Sequence, residues 1–135
     1  MPDLPGYIGI DIVPEAVQAA AERFPGRTYH VGDICTAELP RCDVIVARDV
    51  LAHLSNAEVL KALGNFRRSG PIWLCATTFE GSDNTRDTRA GGYHEYDLEA
   101  PPFALGRPWL VIEDGYWEDE LIYPTKYLGV WACAW

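Results

Sequence analysis

Asp11 and Asp33 occupy matching places in this chain: Asp11 ends the apolar run Tyr7-Ile8-Gly9-Ile10, and Asp33 follows the run Arg27 to Val31 after Gly32. An ionised carboxylate is a pure acceptor. At a strand end it can take two hydrogen bonds from the vicinal hydroxyls of a ribose, and a second carboxylate one strand away can take one from an adenine amino group. The apolar neighbours Ile12 and Ile34 are placed to sandwich a flat base. The local alternative is that each Asp caps a turn or a helix, which for one Asp taken singly is as reasonable as ligand binding. Two in this order favour the ligand. A second group, Arg48, Asp49 and His53, follows the apolar run Cys42 to Ala47. His53 titrates near neutrality when unperturbed, so it is a candidate general base toward an acceptor hydroxyl or amine, with a structural hydrogen bond as its alternative. Arg48 and Asp49 either contact a ligand or form a local ion pair that organises the turn.

These residues need strands to hold them. Residues 7–12 form a short apolar strand of the kind buried on both faces of a parallel sheet. Pro14 and Glu15 open a helix, and Val17, Ala20, Ala21 and Phe24 recur on one face of it before Pro25-Gly26 stops it. Residues 27–31 then complete a strand-helix-strand unit. Residues 42–47 read as a third strand. Ser55 to Glu58 has the form of a capping box, and Val59, Leu60, Leu63 and Phe66 give the following helix its core face up to Ser69-Gly70. Residues 71–79 form a fourth strand, with Pro71 at its start. Trp109 to Glu113 and Tyr127 to Ala134 read as two last strands. They flank the acidic stretch from Asp114 to Glu120 and have no helix between them, so an antiparallel edge hairpin is expected. The fold class is therefore α/β, a mostly parallel sheet with a C-terminal antiparallel hairpin, in a single domain spanning residues 1–135.

Composition narrows the function. A formal charge of −9, from 20 acidic against 11 basic residues, disfavours nucleic acid as a partner, because neutralising phosphates needs clustered Lys and Arg. The four cysteines, Cys35, Cys42, Cys75 and Cys133, show no C-x-x-C spacing, so reduced, part-buried thiols are expected and a metal site is not. No apolar run approaches the roughly 18 residues that span a bilayer, and Met1 to Pro5 lacks the pattern of a signal peptide, so a cytoplasmic location is the simplest expectation.

The ordered motifs resemble class I S-adenosylmethionine-dependent methyltransferases. They are Gly9-Ile10-Asp11-Ile12-Val13-Pro14-Glu15, Gly32-Asp33-Ile34, the stretch from Asp43 through Arg48-Asp49-Val50-Leu51-Ala52-His53-Leu54-Ser55, Thr77-Thr78-Phe79 with Asn84, Asp87 and Gly91-Gly92, and Asp97 to Phe103. The resemblance implies a truncated Rossmann-like sheet with S-adenosylmethionine as cofactor and a small-molecule acceptor. It assigns Asp11 and Ile12 to the ribose side and Asp33 and Ile34 to the adenine. It sets Arg48, Asp49 and His53 where sulfonium and acceptor meet, and makes Gly91-Gly92-Tyr93 an acceptor lid. The family's first strand and its glycine-rich turn, which hold the methionine half of the cofactor, have no counterpart here, and Gly6 and Gly9 do not replace them.

Three expectations follow. The strands at 7–12 and 42–47 flank the place of that absent strand, so they either pair directly or receive another chain, which would make a homo-oligomer. Cofactor affinity rests on the adenosine half. The stretch from Glu80 to Arg107, with its double glycine and aromatic residues, is a lid over the pocket or a cover for apolar surface. A different class of reading is a non-catalytic binding or assembly module that keeps the fold.

Overall fold

The computed structural model describes residues 6–89, 91–114 and 125–134. The elements run β1 (Ile8–Asp11), α1 (Pro14–Arg23), β2 (Thr28–Val31), β3 (Val44–Ala47), a single 3-10 turn (Leu51–His53), α2 (Asn56–Ser69), β4 (Trp73–Phe79), β5 (Leu110–Glu113) and β6 (Lys126–Ala132). Each sits where its sequence pattern puts it. The capping box at the start of α2 is complete: Glu58 N–H donates to Ser55 Oγ at 3.3 Å, and Ser55 N–H donates back to the Glu58 carboxylate at 2.8 Å. Gly70 closes the helix in the left-handed conformation, φ 72°, which costs glycine least.

The strands form two sheets. β1 and β2 pair in parallel as one; the other has the order β3-β4-β6-β5. β3 runs parallel to β4, and β6 runs antiparallel to both β4 and β5, so the C-terminal hairpin is as expected, with β6 inside it and β5 at the edge. Of the acidic connection in that hairpin only Asp114 lies within the described residues. The direct pairing of residues 7–12 with 42–47 is not formed: β1 is hydrogen-bonded to β2 alone and β3 to β4 alone. Among the described residues each therefore keeps one strand edge without a ladder partner.

That gap explains a further departure from expectation. β1 carries no buried residue, nor does α1, and Ile8, Val31 and Phe24 are exposed. Apolar composition made β1 look like a strand buried on both faces, but burial needs neighbours on both edges and layers on both faces. By register, Val44, Val46, Trp73, Cys75, Leu110 and Ile112 lie on one face of the larger sheet, and none of them is fully buried. The opposite face carries Leu74, Ala76 and Trp131, which share one buried cluster with Val59, Ala62, Leu63 and Phe66 of α2. Gly129 has to be glycine, since a Cβ there would collide with the Trp131 ring two residues on.

The long connection after β4 belongs to this core. Tyr96, Leu98 and Phe103 are buried in it. Asn84 is the clamp: its Nδ2 donates to the carbonyl oxygens of Asp97 at 2.7 Å and Pro101 at 2.9 Å, and its Oδ1 accepts from Asp97 N–H at 2.8 Å. The stretch 80–107 as a whole is thus a cover for apolar surface. Its exposed part around Gly91 and Tyr93 is strapped to the 3-10 turn, where Gly91 N–H donates to His53 O at 2.9 Å and His94 N–H to Ala52 O at 3.0 Å. Among the described residues no helix is long and apolar enough to cross a membrane.

Stability is therefore expected to be lopsided. Phe66→Ala should lower the unfolding free energy by about 3–5 kcal/mol through the cavity it leaves, whereas Phe24→Ala on α1 should cost less than about 1 kcal/mol because its ring is already exposed. Urea denaturation of the two variants checks this; equal shifts would show that the β1-α1-β2 unit is as tightly packed as the core.

Candidate functional site

Parallel strands β3 and β4 end at the same edge of the larger sheet, and the register of β6 brings its first residue, Lys126, opposite Phe79 at that edge. Arg48 and Asp49 leave β3 there, and Asp114 leaves β5 there. Four charges then interlock. Arg48 donates to Asp114 through Nε to Oδ2 at 3.0 Å and through Nη2 to Oδ1 at 2.9 Å. Lys126, only 7% exposed, sets Nζ 2.8 Å from Asp49 Oδ1 and 3.8 Å from Asp114 Oδ2. The hydrogen bond from Arg48, with the positive charge of Arg48 and Lys126, holds the Asp114 carboxyl below the usual carboxylate range. The alternative of an Arg48–Asp49 pair gives way to this cross-sheet arrangement, in which each finds its partner on a distant strand.

Asp49 is held tightly. Its backbone lies in the left-handed region, φ 57°, and its N–H donates to Thr77 Oγ1 at 2.8 Å. Of its carboxylate oxygens, Oδ1 takes Lys126 and lies 3.5 Å from Thr77 Oγ1, while Oδ2 makes no hydrogen bond among the described residues. His53 is exposed, and its Nδ1 lies 2.8 Å from Gly92 O. A carbonyl can only accept, so Nδ1 carries the proton and Nε2 presents its lone pair in the neutral ring. The Tyr93 ring stands 5.8 Å from it.

The two strand-end aspartates differ. Asp11 uses Oδ1 to accept Val13 N–H at 2.8 Å, capping the turn into α1, and is otherwise open beside Ile12, which is 64% exposed. Asp33 uses both oxygens locally: Oδ1 accepts Cys35 N–H at 2.8 Å and Oδ2 accepts Thr36 Oγ1 at 3.2 Å. Those bonds, the Cys35 N–H above all, hold its carboxyl below the usual carboxylate range. Burial, reinforced by Asp33, pushes the Cys35 thiol up to about 11. Ile34 is half-buried against the core. Turn capping is thus present at both positions, and of the two only Asp11 keeps an oxygen without a hydrogen bond among the described residues. All four cysteines are free and part-buried. Among the described residues no group of His, Cys, Asp or Glu is placed to hold a metal ion.

Sequence reasoning missed Lys126, Thr77 and Asp114 as parts of this site. The available signal was Lys126 itself, a charge at the head of an apolar strand, but its partners lie on other strands and only the register reveals them.

Comparison with known proteins agrees with this architecture. Residues 4–69 match the family model of the methyltransferase domain. The chain resembles class I S-adenosylmethionine-dependent methyltransferases over that segment, just under half of its length. No curated protein sequence matches it. A SAM-dependent methyltransferase from Methanosarcina mazei superimposes with a TM-score of 0.66 at 13% identity, covering 91% of this chain and 79% of that one. The PH0226 protein from Pyrococcus horikoshii gives 0.59 at 13% identity, over 93% and 70%. Human N-acetylserotonin methyltransferase, solved in complex with SAM, gives 0.57 at 13% identity, over 91% of this chain and 39% of its own length. At these identities the likeness is one of fold, and the chain spans well under half of the human enzyme.

The charge network generates a pH prediction. Because Asp114 ionises lower in the folded chain than in the unfolded one, its contribution is complete above the ordinary Asp pKa of about 3.9 and disappears as pH falls through the lowered folded value. Asp114→Asn should cost up to about 1 kcal/mol at neutral pH, given the half-exposed Arg48, and no penalty should remain at the acid end. Denaturation curves across that pH range test it; a penalty that persists undiminished in acid would rule the ion pair out as its source.

Proposed function

We propose that this chain binds S-adenosylmethionine through its adenosine half and transfers the methyl group to a small-molecule acceptor at the edge formed by Asp49 and His53. What supports the reading is that one Asp49 carboxylate oxygen has no hydrogen bond among the described residues and that the His53 tautomer is set by Gly92 O, both residues lying on the segment that leaves β3 at the carboxyl edge where α/β folds bind ligands.

The residues present fit the adenosine half of the cofactor. Asp11 has an oxygen free to accept from ribose hydroxyls, and exposed Ile12 beside it offers an apolar surface to the base. Asp33 has lone pairs beyond its two turn bonds, and Ile34 and Arg48 border the same edge. When bound, the cofactor supplies an electrophilic methyl carbon. Alignment of the acceptor with that carbon contributes most of the rate. His53 Nε2 takes the O–H or N–H proton that the acceptor releases, and Asp49 accepts the second N–H where the acceptor is an amine. The charge of −9 favours a small-molecule acceptor over a nucleic acid or an anionic membrane surface. Reduced thiols suit the cytoplasm.

The unpaired edges of β1 and β3, with the bare apolar face beside them, support a homo-oligomer in which a second copy completes the sheet. An assembly of this kind would also bury Val44 and Val46, which are 50% and 66% exposed.

Calorimetric titration tests the cofactor reading. Adenosine and methylthioadenosine should bind nearly as well as S-adenosylmethionine, and Asp11→Ala should weaken all three by roughly 1.5–3 kcal/mol, the value of a hydrogen bond to a charged group. Unchanged affinity in the variant would remove Asp11 from the site, and no binding by any of the three would end the cofactor reading.

A further inference from the structure

His53 is the exposed end of a turn whose other residues are buried: Leu51 and Ala52 seat the 3-10 turn in the core and leave His53 outside it. The turn closes itself weakly, with His53 N–H on Val50 O at 3.3 Å and Leu54 N–H on Leu51 O at 3.1 Å. So short a 3-10 segment, with its poorer hydrogen-bond geometry, does not by itself fix the direction of an exposed side chain. Residues 91–94 supply what it lacks. Gly91 N–H donates to His53 O at 2.9 Å, and His94 N–H donates to Ala52 O at 3.0 Å. The His94 ring adds a third tie, its Nε2 lying 3.0 Å from Leu54 O. A carbonyl only accepts, so that nitrogen carries the proton. His94 thus holds the carbonyl before His53 with its main chain and the carbonyl after it with its side chain.

The same segment returns to the His53 ring, where Nδ1 lies 2.8 Å from Gly92 O. Residues 91–94 belong to no helix or strand, so their place is set by what they touch. Two residues beyond His94, Tyr96 is fully buried, its carbonyl accepts Phe79 N–H at 2.8 Å, and its ring stands 5.7 Å from that of His94. Gly92 O is therefore tied to the core through His94 and Tyr96. The imidazole of His94 has a cost: with the proton on Nε2, its Nδ1 is a buried acceptor without a hydrogen bond among the described residues. Phenylalanine would pack on Tyr96 without that cost, so what the imidazole adds is the bond to Leu54 O.

We infer that His94 is a positioning residue for His53: by bracketing the turn it keeps Gly92 O against His53 Nδ1, and so leaves the lone pair on His53 Nε2. Which ring nitrogen of a neutral histidine holds the proton is set by the hydrogen bond that nitrogen makes. An exposed imidazole without such a bond favours the proton on Nε2, the form that cannot take a proton there. A residue that only stiffened the fold would not decide between the two. This inference rests on reading His53 as the base at the methyl-transfer edge, and it names the residue that keeps that base in its accepting form.

The test reads the proton directly. Long-range proton–nitrogen NMR correlation on the full chain, above the pH at which imidazoles titrate, tells a protonated ring nitrogen from a bare one, and His53→Ala identifies the His53 signals among the three histidines. The wild type should carry the His53 proton on Nδ1. His94→Phe keeps a ring beside Tyr96 and removes the donor; the proton should move mainly to Nε2 while the amide spectrum stays dispersed. Hydrogen-exchange protection of Gly91 N–H should fall about tenfold in that variant, the equivalent of one ordinary hydrogen bond. His94→Asn, polar but too short to reach Leu54 O, should behave like His94→Phe, whereas His94→Gln, whose amide reaches the place of Nε2, should return the proton to Nδ1. A wild-type His53 with its proton on Nε2, a tautomer unmoved in both His94→Phe and His94→Asn, or no rescue by His94→Gln would overturn the inference. Loss of folding in both His94→Phe and His94→Asn would overturn it too, by making His94 a plain structural residue. Calorimetry with S-adenosylmethionine on the wild type separates the two readings: a chain that binds no cofactor yet shows the His94-dependent tautomer supports this inference and counts against the methyl-transfer reading alone.

Discussion

Strand β4 is hydrogen-bonded along both edges, parallel to β3 on one side and antiparallel to β6 on the other, and the rest of the site follows from that double register. The pairing with β3 sets Ala47 beside Ala76, so Asp49, two residues on, reaches Thr77. The pairing with β6 sets Lys126 opposite Phe79, so a nearly buried ammonium arrives at the same edge. A shift of one residue in either ladder would turn every side chain to the other face and dissolve the cluster. The same strand carries Leu74 and Ala76 into the core, so packing and chemistry depend on one ladder.

The molecule is uneven in the energy that holds it. The larger sheet, α2 and the connection through Phe103 share a buried aromatic and aliphatic cluster, whereas the β1-α1-β2 unit has no buried residue of its own in β1 or α1. Hydrophobic stabilisation scales with area removed from water, so the second unit is the weaker one. It is also the unit that carries Asp11 and Asp33. A ligand bound there would order the segment with least intrinsic support, and a partner in the gap would stabilise both sheets by covering apolar side chains and satisfying strand edges.

Among the described residues at the carboxyl edge, each charge has an opposite partner. Lys126 is buried enough that an isolated ammonium would be costly, and Asp49 and Asp114 compensate it while Arg48 compensates Asp114 in turn. What remains directional is local: one oxygen of Asp49 and one nitrogen of His53. Groups left unsatisfied in an otherwise satisfied network point to chemistry more clearly than the network itself does.

Local patterns were enough for the elements, because helices and strands are written in short-range terms. The Ser55 to Glu58 capping box and the glycine stop at Gly70 each act within a turn or two and appear as read, as does the stripe of Val59, Leu63 and Phe66, whereas Leu60, read into the same core face, is exposed. Motif order also carried the family resemblance, since Asp11, Asp33, Arg48-Asp49 and His53 stand at spacings set by alternating strands and helices. Burial was not legible. Ile8, Val44 and Val46 are as apolar as Leu74, and they stay exposed because among the described residues no layer packs over their faces of the sheets. Nor was the role of the stretch 80–107, whose irregular sequence hides the Asn84 clamp and the buried Tyr96. The sequence by itself determined the elements, their order and the strand-end acids. Tertiary structure alone decided which charges meet, because Lys126 and Asp49 lie on different strands and come together only through the ladders on either side of β4.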